Sequence, residues 1–445
     1  MLTARLLIGF VYILFVHYTL LIPVLAAEIK AGTTVNSENL DQLLDKTFDG
    51  TPLTQLIPES FQWQIREKGL TMKLTNPKPH PIDPVLRKAS EKNRSTVSLD
   101  LETRRVVGWK AGVPFPDVKP NDAHAGLKVI WNLYYGKPRG DSQVFPNGIA
   151  VLISEKTGIE GMSLQNLTRV FLKGLLRRKG APTLGSGKIQ DKNILVMKAP
   201  ASYEGSGLLF YRYDTGQTDY LLIYMKDANK VVKWSGEFWM DQVGETDYLG
   251  DDLFIFSAYP TWYDGYQVIG KKKILVIANT ENPFVKLEEA EWDKRFPAFD
   301  MKNKPYWNPI DRWEPREVFV VEATAPDLHP YSRKILYIDA KTWLPYLSEN
   351  YTKKGALWKT AIQGYRAFPI KKEPKGTIIW PPWAQIVDFQ KNHATILATD
   401  DKLRFNDEID PKWLNLDTLK GGNVDVEIDV PWNELNPEQE KSWME

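Results

Sequence analysis

Two hydrophobic rhythms divide the chain. Up to about residue 190, apolar residues recur three and four apart, the spacing of one helix face; beyond it they come in short runs between turn residues, the mark of strands. In the first part, Leu40, Leu43, Leu44 and Phe48 share one face of a helix over 38–48 that Ser37 caps. Pro58 suits the first turn of a second helix, which Gly69 closes. Leu127, Ile130, Trp131 and Tyr134 define a third, capped by Asp122, and Leu164, Leu167, Thr168, Phe171, Leu172 and Leu175 a fourth. The proline-rich run 76–84 reads as a loop or spacer, 95–107 as extended chain, and 108–120 as an irregular lead into the third helix.

In the second part, Tyr220–Met225 and Val231–Met240 form a hairpin around Asp227-Ala-Asn-Lys230, and strands follow at 253–258, 272–279, 316–323, 333–339, 346–352 and 357–368. Connections as short as 339–342 and 353–356 require antiparallel neighbours. Pro369, Pro374, Pro381 and Pro382 end the sheet, and the chain from 391 to 445 is a polar extension of one large domain over 28–390. The strands do not alternate apolar with polar, as a sheet wetted on one side would. Val318–Val321, Ile335–Ile338 and Ile274–Ile277 place apolar side chains on both faces. Each large apolar side chain left in water forfeits roughly 1.5–3 kcal/mol, so both faces must be covered. The expected fold is mainly β, of the α+β class: a large curved antiparallel sheet, an unclosed half-barrel with helices packed in or over its concave face.

Composition adds a compartment and a material. Arg5, the apolar run Leu6–Val16 and the small residues before Glu28 have the anatomy of a secretory leader over 1–27; an uncleaved anchor is the alternative. Lys plus Arg number 57 against 56 Asp plus Glu, so the chain has no global field for nucleic acid. Without Cys there are no disulfides, thiolate metal sites or thiol nucleophiles. Aromatic residues make up 12% of the chain, rich enough for a lined cavity as well as a core. Trp234, Trp239, Phe319, Tyr337, Trp343 and Trp358, on or beside strands, are the candidates for such a lining.

No H-E-x-x-H, nucleophile elbow or phosphate loop is present, and no cofactor or metal is indicated. Asp251 and Asp252, adjacent on a strand, point to opposite faces and act at a turn or strand edge rather than sharing a proton. Glu314, Glu317 and Glu322 are salt-bridge partners for nearby arginines. An envelope hydrolase using Asp251 and Glu322 is the enzymatic alternative, recognisable by converging acids of raised pKa. A structural envelope or assembly protein is the third reading.

Three stretches carry a family likeness: Arg104–Pro116 with Trp131-Asn132; Tyr248–Ser257, holding Asp251 and Asp252, with Tyr266–Lys273; and Arg312-Trp313 through Glu322 and Ala323, with Arg333–Asp339, Trp343 and 350–358. Together they resemble the bacterial exported family catalogued as domain of unknown function 1329, which is lipoprotein-sorting-like. The resemblance implies a fold related to the Lol carriers, unclosed barrels that hold acyl chains on an apolar concave face under helices. It implies a periplasmic or outer-membrane-facing location in a Gram-negative bacterium. It further implies a carrier for lipid or another apolar molecule, serving a transporter of the resistance-nodulation-division type, with no catalytic residues of its own.

Overall fold

The computed structural model describes residues 27–422 apart from positions 179, 235 and 372, so the leader-like segment and residues 423–445 lie outside the described residues. One sheet of 16 strands organises the chain. Its strands are β1 (Thr34–Val35), β2 (Met72–Leu74), β3 (Ser142–Ser154), β4 (Gly158–Phe171), β5 (Ile189–Ala199), β6 (Gly207–Tyr213), β7 (Tyr220–Met225) and β8 (Lys230–Lys233). They continue with β9 (Gly265–Val276), β10 (Arg312–Thr324), β11 (Arg333–Asp339), β12 (Pro345–Tyr351), β13 (Leu357–Ile370), β14 (Gly376–Asp388), β15 (His393–Thr399) and β16 (Arg404–Phe405). The path runs β1–β2–β10–β11–β12–β13–β14–β15–β3–β4–β5–β6–β7–β8, with β9 against β10 and β16 against β3. Neighbours are antiparallel except for a parallel contact of β2 with Arg312 and Trp313. The sheet does not close. Two of its edge strands, β8 and β9, carry Lys230, Lys233 and Lys271–Lys273, and β9 is bulged near Val268, devices that discourage edge pairing.

Both faces are covered, as the doubly apolar strands require. On one face sit α1 (Leu40–Leu43), α2 (Leu53–Leu56) and α3 (Glu59–Glu67), where Leu53, Leu56, Phe61 and Ile65 join Val318, Val320, Ile335 and Ile362 in one cluster. Two side-chain bonds seat α3, from Ser60 to Glu349 at 2.5 Å and from Gln64 to Thr360 at 3.4 Å. The other face meets α5 (Ala125–Tyr135), where Val129, Ile130 and Leu133 pack on Phe319, Val321, Leu336 and Ile338. Here α5 approaches β9 closely: a Cβ at Gly126 would lie 2.4 Å from the carbonyl oxygen of Tyr266. Gly126→Val is therefore expected to destabilise by about 1–3 kcal/mol, seen as a lower urea midpoint; an unchanged midpoint would show that α5 is free to lift.

Several expectations are corrected. The helix expected over 164–175 is strand β4 for most of its length; pairing along β3 and β5 outweighs an incidental helical spacing. The helix over 38–48 is one turn, α1, followed by a two-residue strand at Thr47–Phe48. The strand expected over 253–258 is an irregular strap. Pro381 and Pro382 do not end the sheet, because they stand in β14 where the register with β13 shifts, at a bulge that needs no ladder donor from them. Nor is 391–422 a loose extension: β15 is an interior strand between β14 and β3, and Ile409, Leu414 and Leu419 are fully buried against β5 and β6.

Helix α4 (Pro84–Asn93) follows the proline-rich run, with the Asp83 carboxylate accepting from the Val85 N–H. That run is irregular as expected, yet His80 is buried within it, and burial, reinforced by Arg316, lowers its pKa to about 3. A His at about 6.5 in the unfolded chain then gains a proton that the folded chain refuses. Stability should thus fall as pH drops from about 6.5 toward 3, and His80→Leu should flatten that part of the urea-midpoint profile.

Candidate functional site

The space between α3 and the sheet, where an acyl-chain hollow would lie, is filled. What remains beside Phe61, Trp313 and Ile362 is a cavity of about 10 Å³, at or below the roughly 10–15 Å³ one water needs. The six aromatic candidates are dispersed over both faces of the sheet and its loops. Phe319 stacks on Trp343 at 5.8 Å under α5, whereas Tyr337 lies in the cluster of the opposite face. Adjacent-strand registry fixes this division, since Phe319 faces Ile338 and Val320 faces Tyr337 across the β10–β11 ladder. Trp239 packs on His329 at 5.0 Å, Trp358 donates to Asp388 at 3.0 Å, and Trp234 is 39% exposed and donates to Asp241. None of the six lines either cavity described here.

A roomier cavity, about 70 Å³, lies beyond the C-terminal end of α5. Its polar wall is built by strand registry. Phe171 of β4, Asp191 of β5 and Arg212 of β6 stand in one cross-strand row, with Arg169 two residues from Phe171 on the same face. The segment leaving α5 adds Lys137 and Arg139 and is tied to β14 through the Ile379 N–H and the Pro138 carbonyl, 3.1 Å apart. Phe254, Phe256, Leu344, Ile379 and Trp380 supply an apolar wall. Phe254 reaches it because it and Ile255 both have positive φ, 54° and 71°, a costly conformation for a β-branched residue, held here by the strap's anchors.

Four cations share this cavity. Burial, then the repulsion of Arg139, Arg169 and Arg212, lowers Lys137 to about 7, and burial lowers Arg139 to about 10. Arg169 pairs with Asp191 at 3.1 Å and Arg212 with Asp219 at 2.7 Å. Burial raises Asp219 to about 6 against the pull of Arg212. The Tyr134 hydroxyl and both amide atoms of Gln190, residues that also line the cavity, have no hydrogen-bond partner among the described residues.

The strap itself is anchored by Asp251 and Asp252, which sit on a 3₁₀ turn, one of the two placements expected of them. Instead of facing opposite ways, both carboxylates reach Lys334 Nζ, at 3.1 and 2.7 Å, with all three side chains fully buried. Tyr263 donates to Asp251 at 2.5 Å, and Tyr331 to Asp252 at 2.7 Å. Burial would raise Asp251, but Lys334 and then His329 outweigh it and hold the carboxyl below its usual range. An acid held ionised in a closed interior is no proton donor. Glu322, its partner in the hydrolase reading, sits half-exposed on β10, 3.5 Å from Arg333. The two share no partner. Arg312 pairs with Glu281 at the surface, and Trp313 meets Phe61 edge-on at 5.5 Å. Glu314 is ion-paired with Arg316, as expected, while Glu317 pairs instead with Lys271 of the neighbouring β9.

The turn holding Asp251-Asp252 and the β10–β11 region belong to two of the three stretches that carried the family likeness, and the comparisons agree with it. The family model described as a protein of unknown function (DUF1329) matches residues 34–415. The chain belongs to that family. A curated relative, the uncharacterized protein PA3922 of Pseudomonas aeruginosa, is 22% identical over 343 residues, 74% of this chain and 68% of the relative. Among solved structures, a Vibrio parahaemolyticus domain assigned to outer membrane lipoprotein sorting aligns with TM-score 0.44 at 17% identity, over 67% of this chain and all of that domain. A DUF1329 family protein from Desulfovibrio piger gives 0.42 at 14%, over 63% of this chain and 92% of that one. A LolA superfamily protein from Nitrosomonas europaea gives 0.37 at 14%, with the same shares.

The cavity residues escaped the sequence reading. Arg169 lies within 164–175, where a helical spacing read from the apolar positions gives no inward place to a charge, whereas the strand does. Arg212, ending the apolar run Leu208–Tyr211, was a visible signal, because a charge on an inward position of a strand needs a buried partner.

Proposed function

We propose that this chain is a non-catalytic binding protein, a carrier for a molecule that joins an apolar body to an acidic group. The observation that supports it is one cavity lined both by cations without an ion-pair partner among the described residues and by an aromatic wall. The acid would meet Lys137 and Arg139, and the first carbons would lie on Trp380 and Phe254, each Å² covered contributing about 25 cal/mol before ordering costs. The working compartment in this reading is the periplasm, on the strength of the leader-like pattern of 1–27. A resistance-nodulation-division transporter is the partner to which the family resemblance points.

The test is displacement of a dansyl-labelled undecanoate from the purified protein. Decanoate should displace it and decanol should not; equal displacement by decanol, or no binding of the probe, would sink the reading. Binding should also be proton-linked. Above pH 7 the free Lys137 amine loses its proton, while an arriving anion raises its pKa again. Of the neighbouring groups, Arg139, Arg169 and Arg212 remain charged and Asp191 is ion-paired, so Lys137 takes up the proton. Calorimetry at pH 8 in buffers of different ionisation enthalpy should show net proton uptake on binding, and none with Lys137→Met.

A further inference from the structure

The four cations of the cavity are not equivalent, and the difference specifies the acid. Arg169 and Arg212 are neutralised by Asp191 and Asp219, at 3.1 and 2.7 Å. Lys137 and Arg139 form no ion pair among the described residues. The other acid near Arg139, Asp141, is occupied: its carboxylate accepts the N–H groups of Leu176, Arg177 and Arg178 at 2.9, 2.9 and 3.0 Å. Arg139 is also fixed in orientation, lying 3.7 Å from the ring centre of Phe171 and donating to the carbonyl of Lys173 at 3.3 Å. Two cationic groups are thus left without a counter-charge in a recessed, low-dielectric space, where uncompensated charge is expensive, and an arriving anion holds both in their charged form.

We infer that this end of the cavity receives a dianionic tetrahedral oxyanion, a phosphate monoester group, borne by the apolar ligand of the preceding reading, on which the inference rests. A monocarboxylate would cancel one of the two charges and leave the other. A phosphate monoester, with a second pKa near 6, cancels both at neutral pH. The donors present outnumber what a carboxylate accepts. Beyond the ammonium and the guanidinium there are the unpartnered Tyr134 hydroxyl and the unpartnered amide of Gln190, a side chain only 1% exposed. Three terminal oxygens use this set, whereas two do not. The size agrees, since about 70 Å³ suits a compact head group and not a whole acyl chain.

The experiment is calorimetric titration of the purified protein near neutral pH with hexyl phosphate, hexanoate, hexanol and inorganic phosphate. Hexyl phosphate should bind about tenfold more tightly than hexanoate, with inorganic phosphate detectable but weaker than hexyl phosphate. Hexanoate binding as well as hexyl phosphate overturns the head-group inference and leaves the acidic-amphiphile reading standing. Inorganic phosphate binding as tightly as hexyl phosphate makes the ligand a free phosphate and overturns the apolar half of both. Binding of none overturns both outright. Lys137→Met should erase most of the preference for hexyl phosphate over hexanoate, Lys137→Arg should keep it, and Lys271→Gln on the distant edge strand should change nothing. Should Lys137→Met not fold, Arg139→Gln carries the same expectation. An unchanged preference in the variants that do fold contradicts the assignment.

Discussion

Replacing Lys334 by Met lowers the stability of the folded chain by about 3–5 kcal/mol, a large share of the roughly 5–15 kcal/mol that holds a domain together. The ammonium is the cation within ion-pair distance of both Asp251 and Asp252, and all three side chains are wholly enclosed. Without it, Tyr263, Tyr331 and Asn350 still donate hydrogen bonds, but two carboxylates wholly withdrawn from water lose the ammonium they share. Urea unfolding measures the loss. The double variant Lys334→Met with Asp252→Asn should recover part of it, because one stranded charge is removed with its partner. A single variant within 1 kcal/mol or so of the parent would show that the network is not what pins the strap. The pair of carboxylates is therefore the anchor that lets Phe254 and Ile255 hold positive φ at the cavity wall, a positional role that adjacency in sequence alone concealed.

Phe319→Asp should unfold the chain, at a cost of about 5 kcal/mol or more from lost aromatic burial and a carboxylate without a partner. Its ring stacks on Trp343 within the α5 cluster and is 2% exposed. Tyr337→Asp should do the same from the opposite face, where the ring is 4% exposed. Circular dichroism reads both outcomes. Phe319→Leu, which keeps the apolar contact, should fold and bind the dansyl probe like the parent. Were either Asp variant to fold and lose only ligand binding, the ring would belong to a ligand site after all, and the cavity beyond α5 would be the wrong place.

What the sequence disclosed is the part written in contiguous residues. Doubly apolar strands forced coverage of both faces, and short turns such as Asp339–Thr342 forced antiparallel neighbours; both hold, with the Asp339 carboxylate accepting from Lys341 and Thr342 in that turn. Long-range pairing was not legible. Spacing in 164–175 fitted a helix as well as a strand, and only β3 and β5 decide between them. Prolines 381 and 382 read as breakers because a bulge is a property of two strands. The inference from apolar faces to an empty hollow failed for a related reason: the helices that cover a face also fill it. The polar cavity was hidden because Lys137, Arg139, Arg169 and Arg212 come from three distant segments.

The most direct test of the account is to locate the ligand. Crystals grown with 10-bromodecanoate, measured at the bromine edge, should show the carboxylate beside Lys137 and Arg139 with the chain leaving along Trp380. Bromine density between α3 and the sheet, near Phe61 and Trp313, would contradict the account and return the cargo to the apolar face.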